Sequence, residues 1–181
     1  MPELTPFGMF HAAIGLIAVV YGVIALARDK QISPKNHLGQ FYLVATLVTA
    51  VSALALFRQG GFGLALALAV WTLIALAIGT TAAGSSLFGR ASPYVQAASY
   101  SITMLFHLIA AVTAWSTRFP PNASRGASPD ATIVHGIDLA LVLAFLVGAT
   151  LQALWLRRTL PPVIVDRTGG APLLVPYRST R

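Results

Sequence analysis

Residues 7–27 read FGMFHAAIGLIAVVYGVIALA, an apolar run carrying one histidine and no charged side chain. At 1.5 Å per residue, a helix of this length reaches about 31 Å, the depth of a bilayer's hydrocarbon core. Four more runs are comparably long and apolar, at 38–57, 62–83, 95–115 and 133–156. The whole composition agrees with them: 56% of residues are hydrophobic and only 9% charged, and the mean hydropathy is +0.76. A soluble domain of this size does not have that balance. The reading is an all-α, polytopic membrane helix bundle with five transmembrane helices over 1–156. A tail over 157–181 follows, rich in Pro and Gly.

Four of the five runs are preceded by a hydroxyl residue and a proline, at Thr5-Pro6, Ser33-Pro34, Ser92-Pro93 and Ser128-Pro129. A hydroxyl N-cap with Pro at the first helical position predicts a helix start at each. The third run instead follows Gly60-Gly61, which predicts a tight antiparallel hairpin between the second and third helices.

Charge sets the expected orientation, because cytoplasmic loops retain Lys and Arg. Arg28, Lys30, Lys35, Arg90, Arg157, Arg158, Arg167, Arg178 and Arg181 fall on one side, and Arg58, Arg118 and Arg125 on the other. That split places the N-terminus outside and the tail in the cytoplasm. Ala25-Leu26-Ala27 looks like a signal-peptide cleavage site. The preceding segment, however, carries Glu3 with no Lys or Arg, and its apolar run is too long for a signal core. The net charge of +7 is spread over short loops with no basic stripe, so a nucleic-acid partner is not expected. The bilayer is the expected partner, together with other membrane subunits. Pro161, Pro162, Gly169, Gly170, Pro172 and Pro176 forbid one helix in the tail, leaving an extended or disordered segment whose apolar pieces offer contact points.

In lipid, helices associate through small residues and interhelical hydrogen bonds, so small and polar faces mark the interior. Gly8, His11, Gly15, Ala18, Gly22 and Ala25 form such a seam on the first helix, with Gly8, Gly15 and Gly22 as packing positions. The second helix presents Gly39, Tyr42, Thr46, Thr49 and Ala53, and the fourth Gln96, Tyr100, Thr103, His107, Ala110 and Ala114. The third offers only Thr72, Thr80 and Thr81.

The absence of cysteine closes disulfide, thiolate, iron–sulfur and Cys-zinc chemistry. No phosphate-binding loop, nucleotide fingerprint or paired carboxylates stand in the chain, so nothing in it points to an enzyme and a non-enzymatic role is the expectation. What remains is four histidines on four different helices, and Asp138 as the one carboxylate well inside a run. An intramembrane acid is costly unless paired, and it marks a ligand, a relay or a polar tie between helices. His11, His107 and His135 are candidate cofactor ligands for haem b or a transition metal. Two imidazoles and a carboxylate, His11, His135 and Asp138, make a candidate metal set. By depth, His11 and His107 differ: they lie roughly 8 and 15 Å from the outer ends of their helices. His37, beside Lys35 and Asn36, belongs to the cytoplasmic interface.

The stretch from His11-Ala12-Ala13-Ile14-Gly15 through Gly22, Lys30 and Lys35 to His37-Leu38-Gly39-Gln40-Phe41-Tyr42 resembles the opening hairpin of the DUF2306-like bacterial membrane proteins. Their pattern is a His and Gly in one span and His-x-x-Gly-x-x-Tyr at the next. Here the Gly follows His37 after one residue. The likeness covers the first third of the chain and implies a small polytopic protein of the bacterial inner membrane, with no substrate attached. A looser likeness to cytochrome b561-type bundles rests on the histidines spread over four helices, without the two-by-two arrangement of those proteins.

Two functional expectations follow, and a third is weaker. One is a redox-associated membrane protein holding haem or a metal on its outer-half histidines. Another is a non-enzymatic structural or accessory subunit of a larger membrane complex. The third is a proton or small-solute carrier using Asp138 and His135, with Thr150 and Gln152 continuing the polar path inward.

Overall fold

The computed structural model describes residues 5–56, 63–116 and 131–160. These form five α-helices: α1 (Pro6–Asp29), α2 (His37–Leu56), α3 (Leu64–Gly84), α4 (Ser92–Ser116) and α5 (Ala131–Thr159). A single 3-10 turn over Gly89–Ala91 leads into α4. All five are long and apolar enough to cross a membrane. The Gly60-Gly61 hairpin, the Ser128-Pro129 cap and the tail after Leu160 lie outside the described residues.

Consecutive helices pack side by side: α1 along α2, α2 along α3, α3 along α4, and α4 along α5. A narrower contact between α1 and α4 closes the first four into a bundle, and α5 lies on the outside of α4. The closest packing follows the small-residue faces. Ala18, Gly22 and Ala25 are buried on α1, while Leu16, Ile17, Val20 and Ile24 on its other sides are exposed. Gly39, Tyr42, Thr46, Thr49 and Ala53 are all buried on α2. On α4 the row is enclosed at Tyr100 and Thr103, then turns outward at Ala110. Two tyrosines fill the spaces glycines leave. A Cβ on Gly22 would stand 2.7 Å from the Tyr42 ring, and one on Gly79 of α3 would collide with the Tyr100 ring. Gly15 faces Thr49 across the α1–α2 seam. Gly8 departs from the expected packing role: among the described residues its neighbour is Thr5 of its own cap, not another helix.

The caps correct part of the sequence reading. Thr5 caps α1 as expected, its hydroxyl accepting from the Gly8 amide, with Pro6 at the first position. Ser33-Pro34 does not start α2. Lys30 ends α1 in the left-handed region with φ 60°, and Ser33 turns the chain, so the helix begins at His37. Its cap is Asn36, whose Oδ1 accepts from the Gly39 amide at 2.8 Å while its Nδ2 donates to Asp29 at 2.8 Å. One amide therefore caps α2 and ties it to the end of α1. Ser92 does not cap α4 either: its hydroxyl is enclosed with no hydrogen-bond partner. The preceding 3-10 turn makes the entry to α4, with the Ser92 amide bonded to the Gly89 carbonyl.

Backbone polar groups find no water in hydrocarbon, and hydroxyls on spanning helices face the same demand. Thr49, Thr72, Thr80, Thr81, Thr113 and Thr150 each donate to the carbonyl four residues back. Gln152 instead works between helices. Its Oε1 accepts from Ser101 of α4 at 3.0 Å, and its Nε2 donates to the Lys30 carbonyl at 2.8 Å. It thereby ties α5 to α4 and to the α1–α2 turn. Gln152→Leu strands two buried partners and is expected to remove about 1–3 kcal/mol. Thermal unfolding in detergent reads this directly, and an unchanged midpoint would contradict the role.

Candidate functional site

His11 projects from α1 toward α2, where its Nδ1 lies 2.8 Å from Ser52 Oγ. Ser52 has one hydroxyl hydrogen and donates it to the Thr49 carbonyl at 2.9 Å. His11 Nδ1 is therefore the donor, and the lone pair of that imidazole sits on Nε2. On α4, one turn beyond Thr103, His107 Nδ1 lies 2.9 Å from the Thr103 carbonyl. A carbonyl only accepts, so this ring too carries its proton on Nδ1 and its lone pair on Nε2. His107 Nε2 is enclosed with no hydrogen-bond partner. His11 and His107 stand on α1 and α4, which touch along a narrow contact.

The ring of Tyr42 lies near His107, its centroid 6.4 Å from that of the imidazole and tilted 48° to it. Tyr42 Oη donates to Thr103 Oγ1 at 2.6 Å, because Thr103 spends its own hydrogen on the Tyr100 carbonyl at 2.7 Å. Thr103 thus holds Tyr42 with its hydroxyl and His107 with its carbonyl, setting both rings from one residue. An Nδ1–H anchored on a backbone carbonyl, with Nε2 left as the donor atom, is the arrangement that metal-ligating histidines adopt.

The other candidates stand apart. His135 is exposed on α5, and Asp138 is half-buried on the same helix, which packs against α4. Asp138 Oδ1 is enclosed without a partner. Among the described residues no three His, Cys, Asp or Glu side chains gather closely enough to hold a metal ion. The set His11, His135 and Asp138 is accordingly not assembled: His11 faces α2, and the other two belong to α5. The polar continuation toward the basic end is not a path, since Thr150 is satisfied on its own helix and Gln152 is a clamp. His37 is exposed at the first position of α2, at the opposite end from His11.

The sequence offers His11 and His107 as candidates and puts Thr103 on the same row as His107, but it does not show that Ser52 and Thr103 bond the two rings. Ser52 and Thr103 act through a hydroxyl and a main-chain carbonyl, which leave no motif. The one available signal was helical spacing, since Thr103 and His107 are four apart on the same polar row. No family model, curated protein or solved structure matches this chain.

Proposed function

We propose that this chain is a small multi-pass protein of the bacterial inner membrane, N-terminus outside, that holds a transition-metal ion on His11 and His107. The observation that carries this reading is the enclosed Nε2 of His107, without a partner among the described residues, on a ring already fixed through Nδ1 and on a helix that touches α1, the helix of His11. Leaving such an atom unsatisfied costs about 1–3 kcal/mol, which a bound cation would recover. Imidazole suits copper, zinc, iron and nickel. With two histidines and no cysteine in the chain to supply a thiolate, copper in its monovalent state asks least of the site, since it accepts two donors in line. That assignment links the protein to redox chemistry. Haem fits less well: Nε2 is fully enclosed, so no open face stands beside it for a porphyrin.

The test is metal analysis of the detergent-purified protein after copper loading under reducing conditions, with a reduced-minus-oxidised absorption spectrum alongside. Stoichiometric copper is expected, lost in His11→Ala and in His107→Ala, with no haem band. Wild-type protein that takes up no metal overturns the reading, and a sharp b-type band abolished by either substitution replaces it with a cytochrome.

A structural or accessory subunit is the second reading. It is favoured by the bonds each imidazole already makes, His11 to Ser52 and His107 to Thr103, which serve packing as well as ligation. Under that reading both alanine variants lower the unfolding midpoint and no metal is found.

A further inference from the structure

The notch between α4 and α5 lies near the ends of those helices where the basic residues collect, and neither His11 nor His107 lines it. It holds a cavity of about 120 Å³. Ala97 and Leu156 make its floor, Tyr94 closes it toward the helix ends, and Ala98, Ala149 and Ala153 form an open rim. Gln152 lines it as well, but both of its amide atoms are engaged with Ser101 and Lys30, so it offers nothing to a polar guest. The surface is therefore an apolar slot of small side chains. In a bilayer such a slot is filled by hydrocarbon, because water there would find no partners.

The charges at this end say what the hydrocarbon belongs to. Ala149, Ala153 and Arg157 stand four residues apart on α5, so Arg157 continues the rim of the slot by one turn at headgroup depth. Arg157 and Arg158 are exposed, and neither has a described acidic partner. Arg90, also exposed, stands just before α4, four residues ahead of Tyr94. Asp29 is the sole described carboxylate at this end, and it is engaged by Arg28 and Asn36. An apolar slot capped by uncompensated arginines matches an acyl chain beneath a negative headgroup.

We infer that the α4–α5 notch binds an anionic phospholipid, with one acyl chain along Ala98, Ala149 and Ala153 and the phosphate against Arg157 and Arg158. The inference rests on the reading that the five helices sit in a bilayer and takes nothing from the histidine pair.

Native mass spectrometry of the full chain in detergent, with phosphatidylglycerol and phosphatidylcholine of matched acyl chains added in equal amounts, tests it. Wild type is expected to retain phosphatidylglycerol about 25-fold over phosphatidylcholine, with the two arginines contributing equally. Arg157→Ala/Arg158→Ala should erase most of that preference, by about fivefold per arginine. Ala153→Trp, at an exposed position where the fold tolerates bulk, should reduce retention of both lipids. Equal retention of the two lipids by wild type overturns the inference. So does phosphatidylglycerol binding that survives Ala153→Trp undiminished, which would make the arginines a surface charge without a slot, or inorganic phosphate displacing the lipid completely. Thermal unfolding of each variant, expected at the wild-type midpoint without added lipid, separates lost binding from lost fold.

Discussion

Gly39→Ala is expected to yield little folded protein, although it adds a single methyl group. That methyl would enter the backbone of Ser33, colliding with its carbonyl oxygen and standing 2.7 Å from the carbonyl carbon and 2.9 Å from the amide nitrogen. A flexible side chain would yield, but this backbone is held from several directions. Lys30 fixes the turn in the left-handed region, and Ile32 is wholly buried beneath it. Asn36 ties it to Asp29 while capping the Gly39 amide itself, and Gln40 donates to the Pro34 carbonyl. Moving Ser33 therefore loosens Ile32 and breaks the cap together. Overpacking typically costs about 1–3 kcal/mol and a lost cap about 1 kcal/mol more. The sum is a large share of the roughly 5–15 kcal/mol that holds a domain folded. Gly136→Ala is the control, since a Cβ there meets nothing within 4 Å. It should be neutral or stabilising, by up to about 1 kcal/mol of helix propensity. Equal unfolding midpoints for the two variants in detergent would refute the account.

The same turn shows what was legible in the sequence and what was not. Five apolar runs announced five helices, because length and hydropathy are properties of each segment alone. The seams on α1 and α2 were legible for a related reason: a period of 3.6 needs no knowledge of the partner. The start of α2 was misread, since Ser33-Pro34 and Asn36 both fit a cap locally. Asn36 prevails because its amide has a second hydrogen bond to make, to Asp29 across the turn, whereas a serine hydroxyl at position 33 cannot reach both. Gly79 carried no signal within α3, a mostly apolar helix that presents no small-residue seam. Its role exists only once the Tyr100 ring arrives from α4. His135 and Asp138, three residues apart, share α5. Which way that helix turns its polar residues depends on how α5 docks, and that docking is set by Gln152 reaching a main-chain carbonyl at Lys30. Contacts to backbone leave no residue-type pattern at the receiving end.

Tyr42→Ala is the second substitution expected to act strongly, and its partner glycine makes the expectation sharp. Tyr42 is fully buried; its ring fills the space left by Gly22 and its hydroxyl is bonded to Thr103. The loss is chiefly a cavity that touches α1, α2 and α4 together, and packing contacts are what hold apolar helices to one another. Large aromatic truncations in cores cost about 3–5 kcal/mol, and that range is expected here. Tyr42→Phe should cost only about 1 kcal/mol, because Thr103 keeps its own donation to the Tyr100 carbonyl. The discriminating measurement is a double-mutant cycle with Gly22→Ala. Alone, Gly22→Ala presses a methyl into the Tyr42 ring at 2.7 Å and onto Met104 Sδ at 3.0 Å, so it should destabilise. With Tyr42→Ala in place the ring is gone, and the same methyl should be tolerated or partly fill the void, a coupling opposite in sign to simple additivity. The cycle also bears on the histidines, for Tyr42 lies against the His107 ring. If Tyr42→Ala leaves metal uptake intact while lowering stability, Thr103 alone orients the imidazole. If uptake falls with Tyr42→Ala and stays with Tyr42→Phe, the aromatic ring is what holds His107 toward His11. Additive effects of the Gly22 and Tyr42 substitutions would show that the two helices do not meet at this contact.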